Sequence, residues 1–320
     1  MDNTVLKVGH LQAKKGEKVT GVVEFKVNKK PYTLPVFLVN GKNDGPTLVV
    51  FGGIHAAEYA SVAAALEVGQ TLDAEKVSGK VVVVPVINQA GFPVRSIYLN
   101  PMDGINLNRV FPGKADGGAS EQIAAWLTKN VIEGADYFID LHGGDLIEAL
   151  VPFTLFPEAG DKKVDKASLE LAKVFGIKYL VRKVGNAGST FSAVAGGGIP
   201  AILVESGGQG IWPRKDVVRL VKGVERVMRH YGMLKGGKPA AVETIVLKDF
   251  VWQRSEHVGF WYPAIKVGDD VKKGAPLGKI TDVWGNVLQE VNAQATGRVL
   301  FLVSSLSINA NDPLLAIGAK

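Results

Sequence analysis

The 320-residue chain has no cysteine, so it can form neither a disulfide nor a thiolate metal site. Any bound metal must be held by His, Asp or Glu, and with only five histidines each can be weighed in turn. No apolar run is long enough to span a bilayer, which gives no reason to expect a membrane. The opening stretch MDNTVLKVGHLQAKKGEKV also lacks the basic start, apolar centre and cleavage site of a secretory signal, so the cytoplasm is the expected location. The net charge of +6 comes from scattered Lys and Arg, with no basic block or aromatic-interleaved stripe. A nucleic-acid role therefore gains no support, and a mild pull on anionic small molecules is all the charge implies.

What is present is a chain that can build a large core. Its hydrophobic content is 47%, and its length suits one large domain plus a smaller one. From about residue 19 to 200, apolar β-rich runs (YTLPVFLV, TLVVFGG, VVVVPVI, YFIDLHGG, KYLVRK, AILVESGG) alternate with helical stretches (EYASVAAALEVGQTL, ASEQIAAWLTKNVIEG, ASLELAKVFG). This alternation predicts an α/β sheet with helices on both faces. A further helix, RKDVVRLVKGVERVMRHYGML, is stopped by KGGKP. Beyond about residue 236 the pattern changes to short strands with glycine turns, which predicts a small all-β domain over 236–320 after an α/β domain over 1–235. Its short hairpins are of the biotinyl or lipoyl-like kind.

The stretch FGGIHAAEYASVAAALEV, residues 51–68, sets His55 and Glu58 three apart where a buried strand gives way, through a glycine turn, to a helix. In a helical turn such residues share one face and can converge on a metal ion. The competing reading is a half-exposed histidine beside a helix N-terminus whose dipole Glu58 offsets. His142, in YFIDLHGGD, ends another predicted strand, at the edge where ligands of open α/β sheets gather. Two histidines and one carboxylate, two close in sequence and the third far downstream, form the His₂Glu zinc set. Zinc held by three protein ligands keeps a position for water and lowers that water's pKa toward about 7. His10 and His257 lie in segments without convergent acids, and His230 closes an amphipathic helix.

Residues 88–113, NQAGFPVRSIYLNPMDGINLNRVFPG, form a polar Pro- and Gly-laden loop carrying Arg95, Asn106, Asn108 and Arg109. Arg109 stands between apolar residues, and a partly buried guanidinium requires an anion; a substrate carboxylate fits bidentately. Glu205 closes the apolar run AILVE. Burial there raises a carboxyl's pKa and suits it to act as a general base.

The motifs GIHAAEYAS, NPMDGINLNRVFPG, DLHGG and VESGG, in that order, resemble the succinylglutamate desuccinylase and aspartoacylase family, deacylases of the zinc carboxypeptidase clan. The resemblance runs over nearly the whole chain, to SINANDPLLAIG near its end. It implies a zinc-carboxypeptidase-like mixed sheet and one zinc ion per chain, held by His55, Glu58 and His142. It also implies Arg95 polarising the scissile carbonyl, Asn108 and Arg109 clamping a substrate carboxylate, and Glu205 as general base and acid. The implied reaction is hydrolysis of a small N-acyl amino acid, with the β domain covering the site. Three departures stand out: Ala56 and Ala57 where many relatives carry a glycine, Asn106 where some have aspartate, and a variable spacing from Arg95 to Asn108.

Rival readings are a peptide-cutting zinc carboxypeptidase, a metal-free anion-binding relative, and a biotinyl-like carrier. The last needs a lysine at the hairpin tip, and the tip expected around Trp284–Asn286 has none. The aromatics Phe260, Trp261 and Tyr262 of GFWYPAIKVG are expected to pack on the catalytic domain or substrate. Acyl group, amine and any homo-oligomeric state are left open.

Overall fold

The computed structural model describes residues 5–184 and 188–319. Nine strands form one mixed sheet in the order Ile245–Leu247, Tyr179–Val184, Phe153–Glu158, Ala201–Glu205, Tyr137–His142, Asn43–Phe51, Ser78–Val84, Lys30–Asn40, Glu17–Val27. The central run from Ala201–Glu205 through Tyr137–His142 and Asn43–Phe51 to Ser78–Val84 is parallel, and antiparallel pairs flank it.

Side chains in these strands alternate between two cores, as a two-residue period demands. Val82 and Val84 join Val49 and Phe51 on one face, whereas Val81 and Val83 join Leu48 and Val50 on the other. Helices α1 (Tyr59–Thr71), α3 (Lys162–Phe175) and α5 (Arg214–His230) pack mainly on the second core through Ala64, Val68, Leu171, Phe175, Leu220 and Val224. Helices α2 (Ala119–Leu127) and α4 (Thr190–Gly196) cover the first through Ile123, Leu127, Phe191 and Val194. Continuous apolar strands are what a sheet buried on both faces requires.

Three expectations shift. Helix α1 begins at Tyr59, one residue later than the expected stretch from Glu58, because 55–58 form a separate turn closed by Glu58 N donating to His55 O at 3.4 Å. Helix α3 begins at Lys162, since Asp161 caps it by accepting from Lys163 N and Val164 N. The strand Phe153–Glu158 and helix α4 have no counterpart in the sequence reading.

The C-terminal region is all β, built on a five-stranded and a four-stranded sheet around Trp261, Leu277, Ile280, Leu314 and Leu315. Each region lends the other a strand. Ile245–Leu247, beyond the glycine cluster at 236, pairs with Tyr179–Val184 in the large sheet, and Glu148–Leu150 pairs with Gly297–Val303 in the small one. The tip expected at Trp284–Asn286 is the turn between Pro276–Thr281 and Val287–Asn292, with Trp284 84% exposed. Among the described residues, no helix is long and apolar enough to cross a membrane.

Candidate active site

His55, His142 and Glu205 are brought together because three neighbouring parallel strands end side by side. Phe51 ends one, and the turn after it delivers His55 and Glu58; His142 and Glu205 are the last residues of the other two. The turn depends on Gly52 and Gly53. A Cβ at Gly52 would come within 2.9 Å of the Ala65 side chain, and Gly53 has φ +62°. Ala56 and Ala57 are accommodated with both side chains fully buried.

His55 Nδ1 lies 2.6 Å from Glu58 Oε1 and His142 Nδ1 lies 2.9 Å from Glu58 Oε2. One donor atom from each of the three falls within 4.8 Å of the others, and all three side chains are buried. The far nitrogens are also held. His55 Nε2 is 3.1 Å from Asn106 Oδ1, which also accepts from Asn108 N at 2.9 Å, so this oxygen is an acceptor and Nε2 carries the proton. His142 Nε2 is 3.3 Å from Asp140 Oδ2, close enough for an ion pair although not aligned as a hydrogen bond. Both Nδ1 atoms thereby face Glu58, within hydrogen-bonding distance of its carboxylate and available as ligands once a metal displaces their protons, as in metal sites whose histidines are anchored through the other nitrogen. The donor set fits zinc, which takes two imidazoles and a carboxylate and keeps a position open.

The electrostatics agree with this fit. Burial pushes Glu58 up, but the His142 and His55 imidazoles outweigh it and hold the carboxyl at about 2. Gly143 N adds a hydrogen bond to Glu58 Oε2 at 3.1 Å. Burial alone would lower His142, and the Glu58 and Asp140 carboxylates instead hold it well above its usual value. Glu205 is pushed well above the carboxylate range, first by burial and then by the Glu58 charge, and its Oε2 has no partner among the described residues.

These groups open into a cavity of about 640 Å³. Asn108 and Arg109 line it. Arg109 is exposed to the cavity rather than buried, no carboxylate among the described residues pairs with it, and its Nη1 donates to Asn108 O at 2.8 Å. Asn108 is buried, and its Oδ1 accepts from Thr190 N at 2.8 Å and Thr190 Oγ1 at 3.1 Å. Arg95 is not brought to the site: it is exposed, with φ +55°, and lies outside the cavity lining. The loop turns again at Tyr98, φ +58°, and Tyr98 reaches the wall instead, its ring 5.9 Å from that of His55. Tyr98 OH donates to Glu148 Oε1, Asp145 N donates to Glu148 Oε2 at 2.7 Å, and Tyr98 N donates to Asp145 Oδ2 at 3.2 Å.

The β region forms part of the same wall, through Phe250, Trp252 and Phe301. These are not the aromatics expected there. Trp261 fills the C-terminal region's own core and donates from Nε1 to Val303 O at 3.2 Å, while Tyr262 is 46% exposed. Asp140, Tyr98, Glu148 and Ser189 are site neighbours that sequence reasoning missed. Only Asp140 carried a signal: it precedes His142 by two in a strand, so both side chains lie on one face.

Residues 44–231 match the succinylglutamate desuccinylase/aspartoacylase catalytic domain. The chain belongs to that family. It is 30% identical over 292 residues to the N-alpha-acetyl-L-2,4-diaminobutyric acid deacetylase of Halomonas elongata, covering 89% of this chain and 85% of that one. Among solved structures, the product-bound ectoine utilization protein EutE (DoeB) of Ruegeria pomeroyi superposes with a TM-score of 0.88 at 26% identity, covering all of both chains. A succinylglutamate desuccinylase/aspartoacylase of Rhodobacter sphaeroides shares the fold, with a TM-score of 0.83 at 24% identity and 94% of each chain covered.

Proposed function

We propose that this family member is a zinc-dependent amide hydrolase that removes the acyl group from a small N-acyl amino acid, giving a carboxylate and a free amine. The observation that carries the reading is the convergence, at one sheet edge, of the His55, Glu58 and His142 donors with Glu205, in a cavity that Arg109 also lines. A zinc ion held by the three residues would supply a Lewis acid and a water acidic enough to react near neutral pH. Glu205, with a raised pKa and an unpartnered oxygen, takes a proton from the attacking water and delivers it to the leaving amine nitrogen. Arg109 pairs with the substrate carboxylate through its guanidinium fork. Asn108 fixes the turn on which Arg109 stands. The Halomonas relative, named for a deacetylase of an acylated diamino acid, favours a short acyl group on an amino acid of that size.

The test is hydrolysis of a panel of N-acetyl and N-succinyl amino acids by zinc-loaded protein, read as amine release. Turnover of at least one is expected, with loss on chelation and recovery with zinc. Release of C-terminal residues from peptides, with the acylated amino acids untouched, would overturn the reading in favour of a carboxypeptidase.

A further inference from the structure

Ser189 precedes helix α4, the position where serine ordinarily accepts a hydrogen bond from a first-turn N–H. Here it does not. Asn108 Oδ1, reaching across from a segment 82 residues upstream, takes both Thr190 N and Thr190 Oγ1, and the Ser189 side chain makes no capping bond. Ser189 is only 5% exposed, yet its Oγ has no partner among the described residues. A buried hydroxyl left unpaired is costly, so such a group is kept where something else completes it.

That something has a place to sit. Ser189 lines the same cavity as Asn108 and Arg109. The two segments are stitched together: Phe111 N donates to Gly188 O at 2.9 Å, and the backbone at Gly188 passes so close that a Cβ there would lie 2.1 Å from Arg109 O. Asn108 spends its oxygen on α4 and leaves its NH₂ for the cavity. The wall at this point therefore offers donors of three kinds, a guanidinium, an amide NH₂ and a hydroxyl.

We propose that Ser189 is a substrate-binding residue whose hydroxyl donates to the same carboxylate that Arg109 pairs with. This rests on the amide-hydrolase reading for the identity of the ligand, though not for the binding itself. The exchange of capping roles is the reason for the arrangement. With Asn108 satisfying the helix, the serine hydroxyl stays free for the ligand, and one carboxylate can take the guanidinium on one oxygen pair and the hydroxyl on a remaining lone pair.

The test uses zinc-loaded full-length protein, Ser189→Ala, and N-acetyl-L-2,4-diaminobutyrate beside its carboxamide. Calorimetric binding is measured in a Glu205→Gln background, so that turnover is not needed, and kinetics are measured with Glu205 intact. Ser189→Ala is expected to weaken acid binding roughly tenfold, the loss of one hydrogen bond to a charged group, with KM moving more than kcat and the carboxamide moving less than the acid. The melting temperature of the free protein should hold or rise, because the hydroxyl has no protein partner to lose. A melting temperature that falls while acid binding stays at the parent value would show that Oγ serves a buried water, and would overturn the proposal. Absence of acid binding to the parent would overturn it as well. Binding without hydrolysis in the parent would instead sink the amide-hydrolase reading and leave Ser189 as an anion-binding group.

Discussion

Glu205 and His142 are paired in register at the carboxyl ends of two adjacent parallel strands, so their side chains leave the same face of the sheet side by side. This fixes the distance class between the candidate base and the candidate metal ligand through the backbone itself, with no loop in between. Glu205→Gln should therefore preserve fold and metal content, since the amide is nearly isosteric, while removing the proton acceptor. We expect kcat to fall by about 10² to 10⁴-fold. A variant with parental kcat would mean that the base is elsewhere.

Metal content should track the anchoring of the histidines as well as the ligands. His142→Ala is expected to lose the ion, read as zinc per chain by elemental analysis against one in the parent. Asp140→Asn keeps every ligand but weakens the group facing His142 Nε2, and a loss of about 10 to 100-fold in zinc affinity follows. Unchanged affinity in Asp140→Asn would show that the 3.3 Å contact does not orient the ring.

Two arginines of one loop should behave differently. Arg109 lines the cavity and Arg95 does not. Arg109→Ala is expected to raise KM at least tenfold on substrates with a free carboxylate and little on their amides, because it removes binding present in ground and transition states alike. Arg95→Ala should change kcat/KM less than threefold. A large kcat loss in Arg95→Ala would restore the role implied by the family resemblance.

Asp145 supplies a pH test of the carboxyl cluster behind Tyr98. Burial, reinforced by the Glu58 charge, pushes it up to about 7. A carboxyl with a raised native pKa holds its proton more tightly folded than unfolded, where the value is about 3.9. Its contribution is thus complete below pH 4 and is lost as pH rises to about 7, by up to about 4 kcal/mol in metal-free protein. Urea unfolding at pH 5 and pH 8 should show a smaller difference for Asp145→Asn than for the parent. Equal differences would show that Asp145 ionises freely.

The candidate site was legible because His142 and Glu205 close two apolar runs and His55 and Glu58 follow the glycine turn after a third, and strand ends are where an open α/β sheet exposes such residues. His55, Glu58, His142 and Glu205 were all visible in that way. What was hidden depends on contacts across space. Tyr98 and Arg95 sit three apart in a loop whose turns at φ +55° and +58° follow no periodicity, so which side chain faces inward cannot be counted off. Ser189 has the sequence of an ordinary N-cap, and only Asn108 arriving from residue 108 frees it. Phe153–Glu158 was missed because its six residues include Pro157. The aromatic trio misled for a simpler reason: in a strand, Trp261 faces opposite to Phe260 and Tyr262, so one fills the core while the others leave it.

The junction between the two regions bears on which substrates can enter. A lid free to swing would be held by few contacts, yet here each region pairs a strand into the other's sheet, and Arg298 Nη1 donates to Tyr179 OH at 2.9 Å. Phe153, Tyr179, Val181, Leu247 and Leu300 form a shared core beneath those strands. The wall built by Phe250, Trp252 and Phe301 is thus fixed on the sheet that carries Glu205, and a chain longer than a few residues would have to displace packed side chains to reach the candidate metal ligands. We expect kcat/KM to fall steeply between an N-acyl amino acid and acylated peptides of two to five residues. Leu300→Ala, which empties a fully buried position in the shared core, should cost about 2–5 kcal/mol and loosen that length filter together with the fold. A parent protein that trims the C-terminus of a folded protein as readily as it cleaves a small amide would show that the wall opens, and would move the substrate class from acylated amino acids to peptides.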